Sequence, residues 1–210
     1  MVGGLAQAQH RFGAATFHLR RAAQAAHNPG FGAAEALHLA NLGRAQQQSG
    51  DHQGAKTTLE RAIDAALAAG DLRLVATARV RLARVLRFLG ERESAREIVK
   101  SAQRWYVSAG GGEGAALADY VLASLAVDDG AVQSLSAILE AARRAGDVEV
   151  ELLTLDLMAR IQAERGDLTP ARATLDEADR LLPTARHLVT DSDRIDRERT
   201  LLHLDASGPR

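Results

Sequence analysis

Arginines recur in this chain at spacings that would bring their guanidinium groups together. Arg44, Arg84 and Arg160 occupy equivalent places in three similar segments of the sequence. Arg81 and Arg87 lie about one helical turn on either side of Arg84. Arginines at equivalent places would form a column along one face of the protein. A column of guanidinium groups suits forked contacts with the carboxylate or phosphate groups of an extended or helical ligand. The alternative is that these arginines lie on ordinary solvated helix faces and are neutralised by nearby carboxylates. The candidate neutralising carboxylates are Glu91, Glu93 and Asp156.

Motifs for catalysis or metal binding are absent from the sequence. The seven histidines are scattered, with no pair four residues apart on one helix and no carboxylate at metal-ligand spacing. There is no phosphate-binding glycine loop, no glycine-flanked serine nucleophile and no recognisable pair of catalytic acids. The sequence therefore predicts a protein that is not an enzyme and that holds neither a metal nor another cofactor.

An apolar pattern repeats along the chain at a nearly constant step. The dipeptide Leu42-Gly43 recurs as Leu82-Ala83, Leu122-Ala123 and Met158-Ala159, and Ala62 recurs as Ala102, Ala142 and Ala178. Each repeat has two helix-spaced apolar stripes separated by a glycine-containing turn, which is the pattern of a helical hairpin. One hairpin cannot bury its apolar stripe alone, so we expect an all-α fold of stacked antiparallel helical hairpins.

Composition supports this fold and limits the range of partners. Only 3% of the residues are aromatic and there is no cysteine, as expected for helices packed through alanine and leucine in a reducing compartment. The net charge of −1 gives no general attraction for nucleic acid or for an anionic membrane. We expect a cytoplasmic protein that binds neither nucleic acid nor membrane directly.

The domain organisation follows from the repeat. We expect a single domain over residues 1–210, with repeats at about 33–68, 72–108, 113–145 and 148–182. A half repeat or cap is expected at 4–27, and a capping helix at about 190–205. The first helix resembles the second half of a hairpin, so either the chain is a fragment of a longer protein or its first residues form an atypical cap.

Three local expectations complete this description. We expect Pro183 to end the second helix of the fourth hairpin. The apolar residues expected to attach the last helix to that hairpin are Ile195, Leu201, Leu202 and Leu204. At the N-terminal end, the residues expected to form an uncovered apolar edge are Leu5, Phe12 and Leu19. Such an edge favours a homodimer or the docking of a missing N-terminal domain.

The repeated residues resemble the tetratricopeptide repeat family. Its motif has a Leu-Gly or Leu-Ala pair, a glycine before the turn, an alanine, an aromatic residue or leucine, and a closing alanine; Leu42-Gly43, Gly50, Ala55, Leu59 and Ala62 match it. The repeats are longer than the family's usual unit, and in this they are similar to degenerate repeats in large bacterial signal-transduction regulators. The resemblance implies a right-handed α-solenoid whose first helices line a concave groove.

The groove implied by this resemblance supplies the candidate binding residues. They are Asn41, Arg44, Gln48, Arg81, Arg84, Arg87, Phe88, Tyr120, Ser124 and Arg160. We expect a scaffold that binds a protein or peptide partner there, or senses a ligand, and the arginines favour an acidic partner. The alternative function is the regulatory segment of a larger bacterial transcription regulator or signalling ATPase.

Overall fold

The structure, a computed structural model, describes residues 14, 16–26, 32–112, 114–126, 131–185 and 191–207. All regular secondary structure in these residues is α-helical. The helices are α1 (16–25), α2 (Gly32–Gln48), α3 (His52–Ala68), α4 (Leu72–Phe88), α5 (Arg92–Ser108), α6 (Ala115–Ala126), α7 (Ala131–Ala145), α8 (Val148–Glu164), α9 (Leu168–Ala185) and α10 (Asp191–Ser207).

The chain divides into two compact units, Met1–Ala118 and Asp119–Arg210, with the boundary inside α6. In unit 1, α2 packs on α3, α3 on α4 and α4 on α5. In unit 2, α7 packs on α8, and α8 packs on α9. Consecutive helices therefore form stacked antiparallel hairpins, which confirms the predicted fold class. A single domain over the whole chain stays a prediction.

Glycine and aspartate form the turns between several helices. The pairs Gly50-Asp51, Gly70-Asp71 and Gly146-Asp147 each combine a glycine of positive φ with an aspartate that caps the next helix. Each aspartate Oδ1 accepts a hydrogen bond from the backbone N–H three residues later, at 2.9, 2.9 and 3.1 Å respectively. These two residue types stop one helix and start the next within two positions, because glycine tolerates positive φ and aspartate satisfies a free N–H group.

A small residue lets the two helices of the first hairpin approach each other. A Cβ atom built on Gly43 of α2 would lie 2.5 Å from Cγ of Leu59 on α3. Leu59 is fully buried, as is Val99, its equivalent on α5. In the second hairpin the pair is Ala83 and Val99, so a larger residue on one helix accompanies a smaller one on its partner.

The ends of the chain differ partly from the expectations. Ala23 of α1 is buried in one core cluster with Leu39, Ala40, Ala62 and Ala78, so α1 packs on the first hairpin. Most of the predicted apolar edge, with Leu5 and Phe12, lies outside the described residues. The prediction that Pro183 ends its helix was wrong, because α9 continues to Ala185. Proline disrupts one i→i−4 hydrogen bond of a helix, and α9 extends only two residues beyond Pro183.

The last helix docks through different residues from those predicted. Leu204 is fully buried against Ala159, Ala163, Ala171 and Leu175, as expected. Leu201 and Leu202, however, are 38% and 68% exposed, which contradicts the prediction for both. The side chain of Ile195 lies outside the described part of the structure. Among the α10 side chains that the structure describes, the buried ones are instead Asp193, Arg197, Thr200 and Leu204, which recur every three or four residues and share one helix face.

We predict that Gly43→Ala destabilises the protein. The added methyl group meets Leu59, and overpacking of this kind costs about 1–3 kcal/mol, which exceeds the gain of about 1 kcal/mol in helix propensity. Adding Leu59→Val restores the alanine and valine pair of the second hairpin and should recover part of the loss. Urea denaturation of the single and double variants measures both effects. A more stable Gly43→Ala protein would show that helix propensity outweighs the contact.

Candidate functional site

Seven predicted binding residues lie on adjacent helices of unit 1. Asn41, Arg44 and Gln48 are on α2, and Arg81, Arg84, Arg87 and Phe88 are on α4. These positions are three or four residues apart, or next to such a residue, so they span an arc of about 60° on α2 and about 120° on α4. We call these seven residues the arginine face.

A direct contact joins the two helices at this face. The Nη1 atom of Arg81 donates to Oδ1 of Asn41 at 3.3 Å. The two residues are one full repeat apart in the sequence, so equivalent places on the first helices of successive hairpins are neighbours in space. This contact supports the register from which the arginine column was predicted.

The arginine face has a buried centre and half-buried surroundings. Arg84 is only 4% exposed, so its placement as an open groove residue was wrong. Arg44, Gln48, Arg81, Arg87 and Phe88 are all half-buried. Arg84 lies in the middle of α4, a helix that packs on α2, α3 and α5.

An aromatic pair and a cation–π contact lie at the C-terminal end of α4, at one end of this face. The Phe88 ring stacks on His52 of α3, with ring centroids 5.2 Å apart and an angle of 15° between the planes. The Arg87 guanidinium carbon lies 4.3 Å from the centroid of the Phe88 ring, within the range of a cation–π interaction. Sequence reasoning missed His52, which begins α3 and reaches α4 only because the hairpins stack.

The carboxylates proposed to neutralise the arginine column bind other cations. Both Oε atoms of Glu91 accept hydrogen bonds from Lys56 Nζ at 2.9 Å. Glu93 forms a 2.7 Å ion pair with Arg96, and Asp156 pairs with Arg197. Each of these three acids therefore has at least one cationic partner outside the predicted arginine column.

The remaining predicted site residues do not extend this face. Tyr120 and Ser124 on α6 are 4% and 2% exposed, so their placement in an open groove was wrong. The Ser124 hydroxyl donates to the backbone oxygen of Val121 at 2.7 Å. Tyr120 lies at the repeat position of Ala40 and Val80, which are also buried. Arg160 belongs to unit 2, where it is half-buried and lies 4.0 Å from Glu164.

A second cluster of charged residues, in unit 2, was not predicted from the sequence. Arg197 of α10 donates to Asp156 of α8 and to Asp179 of α9, and also to the backbone oxygen of Leu175 at 3.2 Å. The side chains of Arg197 and Asp156 are 8% and 13% exposed, whereas that of Asp179 is 55% exposed. Asp193 is 6% exposed and lies one turn before Arg197. We call Asp156, Asp179, Asp193 and Arg197 the α10 cluster.

Burial shifts the pKa of one group in this cluster. Removal from water raises the pKa of Asp156 from 3.8 to about 7, with Asp193 and Asp179 also raising it and Arg197 opposing the change. Asp156 therefore titrates near neutral pH.

The sequence repeat contains one feature from which this cluster could have been predicted, an aspartate at a position that is otherwise buried. Its register places Ala40, Val80, Tyr120 and Asp156 at equivalent positions. The first three are buried, so an aspartate at the fourth position requires a partner. Arg197 follows about one repeat later, on a helix that packs on both α8 and α9.

Comparisons with known proteins identify the architecture. Residues 39–68, which lie within the α2–α3 hairpin, match the family model described as tetratricopeptide repeat. A crystal structure from Podosopora anserina, described as kinesin light chain nearly identical TPR-like repeats, superposes with a TM-score of 0.50 at 15% sequence identity, covering 85% of this chain and 98% of that chain. The chain has a tetratricopeptide-like fold. The resemblance predicted from the sequence is confirmed. No curated protein matches the chain in sequence.

Membrane-spanning helices and metal-binding clusters are both missing from the described residues. Within these ranges, no helix is both long and apolar enough to cross a membrane. The same residues bring no three histidine, aspartate or glutamate side chains together in a way that fits a metal ion.

We predict that Arg197→Met destabilises unit 2. The change leaves the buried Asp156 without its cation, and removing one partner of a buried pair costs roughly 3 kcal/mol or more when the other group stays charged. Proton uptake by Asp156 keeps the loss near the lower end of that range. Arg144→Met is the matched control, because Arg144 and Glu140 are 72% and 70% exposed, and it should change stability by less than about 0.5 kcal/mol. Equal losses in urea denaturation would contradict a structural role for Arg197.

Proposed function

We propose that the chain is a non-catalytic scaffold that binds an acidic segment of a protein partner on the arginine face of unit 1. Helical repeats of this kind generally present extended surfaces to protein partners. Half-buried arginines suit this task, because packing holds their aliphatic stems and each guanidinium has five N–H donors in a geometry that matches carboxylates.

The concentration of positive charge on α4 is the observation that carries this proposal. Helix α4 contains five arginines and no acidic residue. The hairpin over residues 72–108 has nine basic and three acidic residues, a net charge of +6, although the whole chain has a net charge of −1. A locally positive surface attracts acidic segments and accelerates their association even when the protein as a whole is nearly neutral.

The spacing of the arginines on this face indicates which arrangement of carboxylates a partner would need. Arg44 is on α2, while Arg81 and Arg87 are nearly two turns apart on α4. Asn41 holds Arg81, and Phe88 lies against Arg87, so two of these cations are positioned before binding. A peptide with several carboxylates along one side would meet more than one arginine at a time, whereas a single free anion would not.

A charge-reversal series tests this function. Arg44→Glu, Arg81→Glu and Arg87→Glu together should weaken binding of a fluorescein-labelled, glutamate-rich helical peptide by roughly tenfold or more, because charge-assisted hydrogen bonds become repulsions. Fluorescence anisotropy measures the Kd. The same peptide with glutamine for glutamate should bind neither protein.

The control variant carries the same charge change on other helices. Arg61→Glu, Lys100→Glu and Arg104→Glu replace exposed residues of α3 and α5. This control should keep most of the affinity for the acidic peptide. If both triple variants lose binding equally, net charge alone governs the interaction and the arginine face is not the site.

The alternative function, a regulatory segment of a larger bacterial regulator or signalling ATPase, stays a prediction. Reading the coding sequence upstream of Met1 for a nucleotide-binding motif tests it. The cytoplasmic location and the homodimer also stay predictions.

A further inference from the structure

The α10 cluster lies on a docking surface where polar and charged side chains are buried together with an apolar one. The buried face of α10 carries Asp193, Arg197 and Thr200, and Leu204 is its fully buried apolar residue. Leu201 and Leu202 are 38% and 68% exposed. Polar contacts therefore take part in holding this helix, and polar contacts between ionisable groups respond to pH.

We propose that α10 docks onto α8 and α9 with uptake of a proton, so that acidification from pH 8 to pH 6 tightens the helix and alkalinisation loosens it. Three carboxylates surround one guanidinium, and two of them, Asp156 and Asp193, have little contact with water. A proton on Asp156 removes one negative charge and leaves an oxygen that still accepts from Arg197. Releasing α10 exposes Asp156 to water, where it loses that proton.

Several charged groups on the helices around the cluster have partners of their own. On α7, Arg143 binds Glu151 and Glu177. On α8, Arg160 lies one turn after Asp156 and near Glu164. On α9, Arg172 donates to the backbone oxygen of Leu204 at 2.9 Å and to Asp205 at 3.2 Å. Within the described contacts, Arg197 is the cation that joins Asp156 of α8 and Asp179 of α9 to α10.

The sign of the effect follows from the pKa of Asp156. Its value of about 7 in the docked structure lies above its ordinary value of 3.8. A carboxyl group whose pKa is raised by docking favours docking at low pH, and its contribution is lost as pH rises through the docked value. For one proton, the docking equilibrium constant should be about tenfold larger at pH 6 than at pH 8.

A single introduced thiol reports the docking of α10. The chain has no cysteine, so Leu204→Cys places the only thiol on the fully buried face, and Leu202→Cys places one on the exposed face. The ratio of their rates with Ellman's reagent gives the protection of position 204 and cancels the intrinsic pH dependence of thiol reactivity. Thr200→Cys, also on the buried face, serves if Leu204→Cys does not fold.

The same measurement with Asp156→Asn assigns the effect. We expect about tenfold more protection at pH 6 than at pH 8 in the parent protein, and no such difference with Asp156→Asn, whose amide imitates the neutral acid. Protection independent of pH, or greater at pH 8, overturns the proposal. A pH dependence that persists in Asp156→Asn also overturns it, because another group would then bind the proton.

Discussion

The structure depends on the close approach of two helices at one small residue in each hairpin. At Gly43 a side chain would collide with Leu59, and the equivalent places hold Ala83, Ala123 and Ala159. This contact fixes which faces of the two helices meet, and so which face of each first helix is left for other contacts. Arg44 directly follows Gly43, and Arg84 follows Ala83. The packing of small residues thereby determines where the arginines of unit 1 lie.

The repeat register also separates buried positions from half-buried ones. The position of Ala40 and Val80 is buried in the stack, and in the fourth hairpin it holds Asp156. Arg197 binds that aspartate and is itself buried. One residue further along the register, Arg81 is half-buried beside Asn41. A shift of one position on a helix, about 100°, thus separates the position of Val80 and Asp156 from that of Arg81, which belongs to the proposed binding surface.

Much of the fold was predictable from the sequence because its signals are local. The glycine and aspartate turns, the small residues and the repeat register each depend on a few neighbouring positions. Burial of Arg84, Tyr120 and Ser124 was not predicted, because it depends on helices from other hairpins. The contact between Asp156 and Arg197 was missed for the same reason, since it joins residues that are far apart in the sequence. For Leu201 and Leu202, apolar character alone predicted burial, whereas the contact of Arg197 with Asp156 determined which face of α10 docks.

An NMR titration can test directly whether the face formed by α2 and α4 recognises acidic segments. The ¹⁵N-labelled full chain would be titrated with the glutamate-rich peptide, and changes in amide chemical shift would be assigned along the chain. We expect the largest changes in amide chemical shift in α2 and α4, around Arg44, Arg81 and Arg87. The glutamine peptide should cause no such changes. Changes centred on α5 or in unit 2, or no changes at all, would contradict recognition at this face.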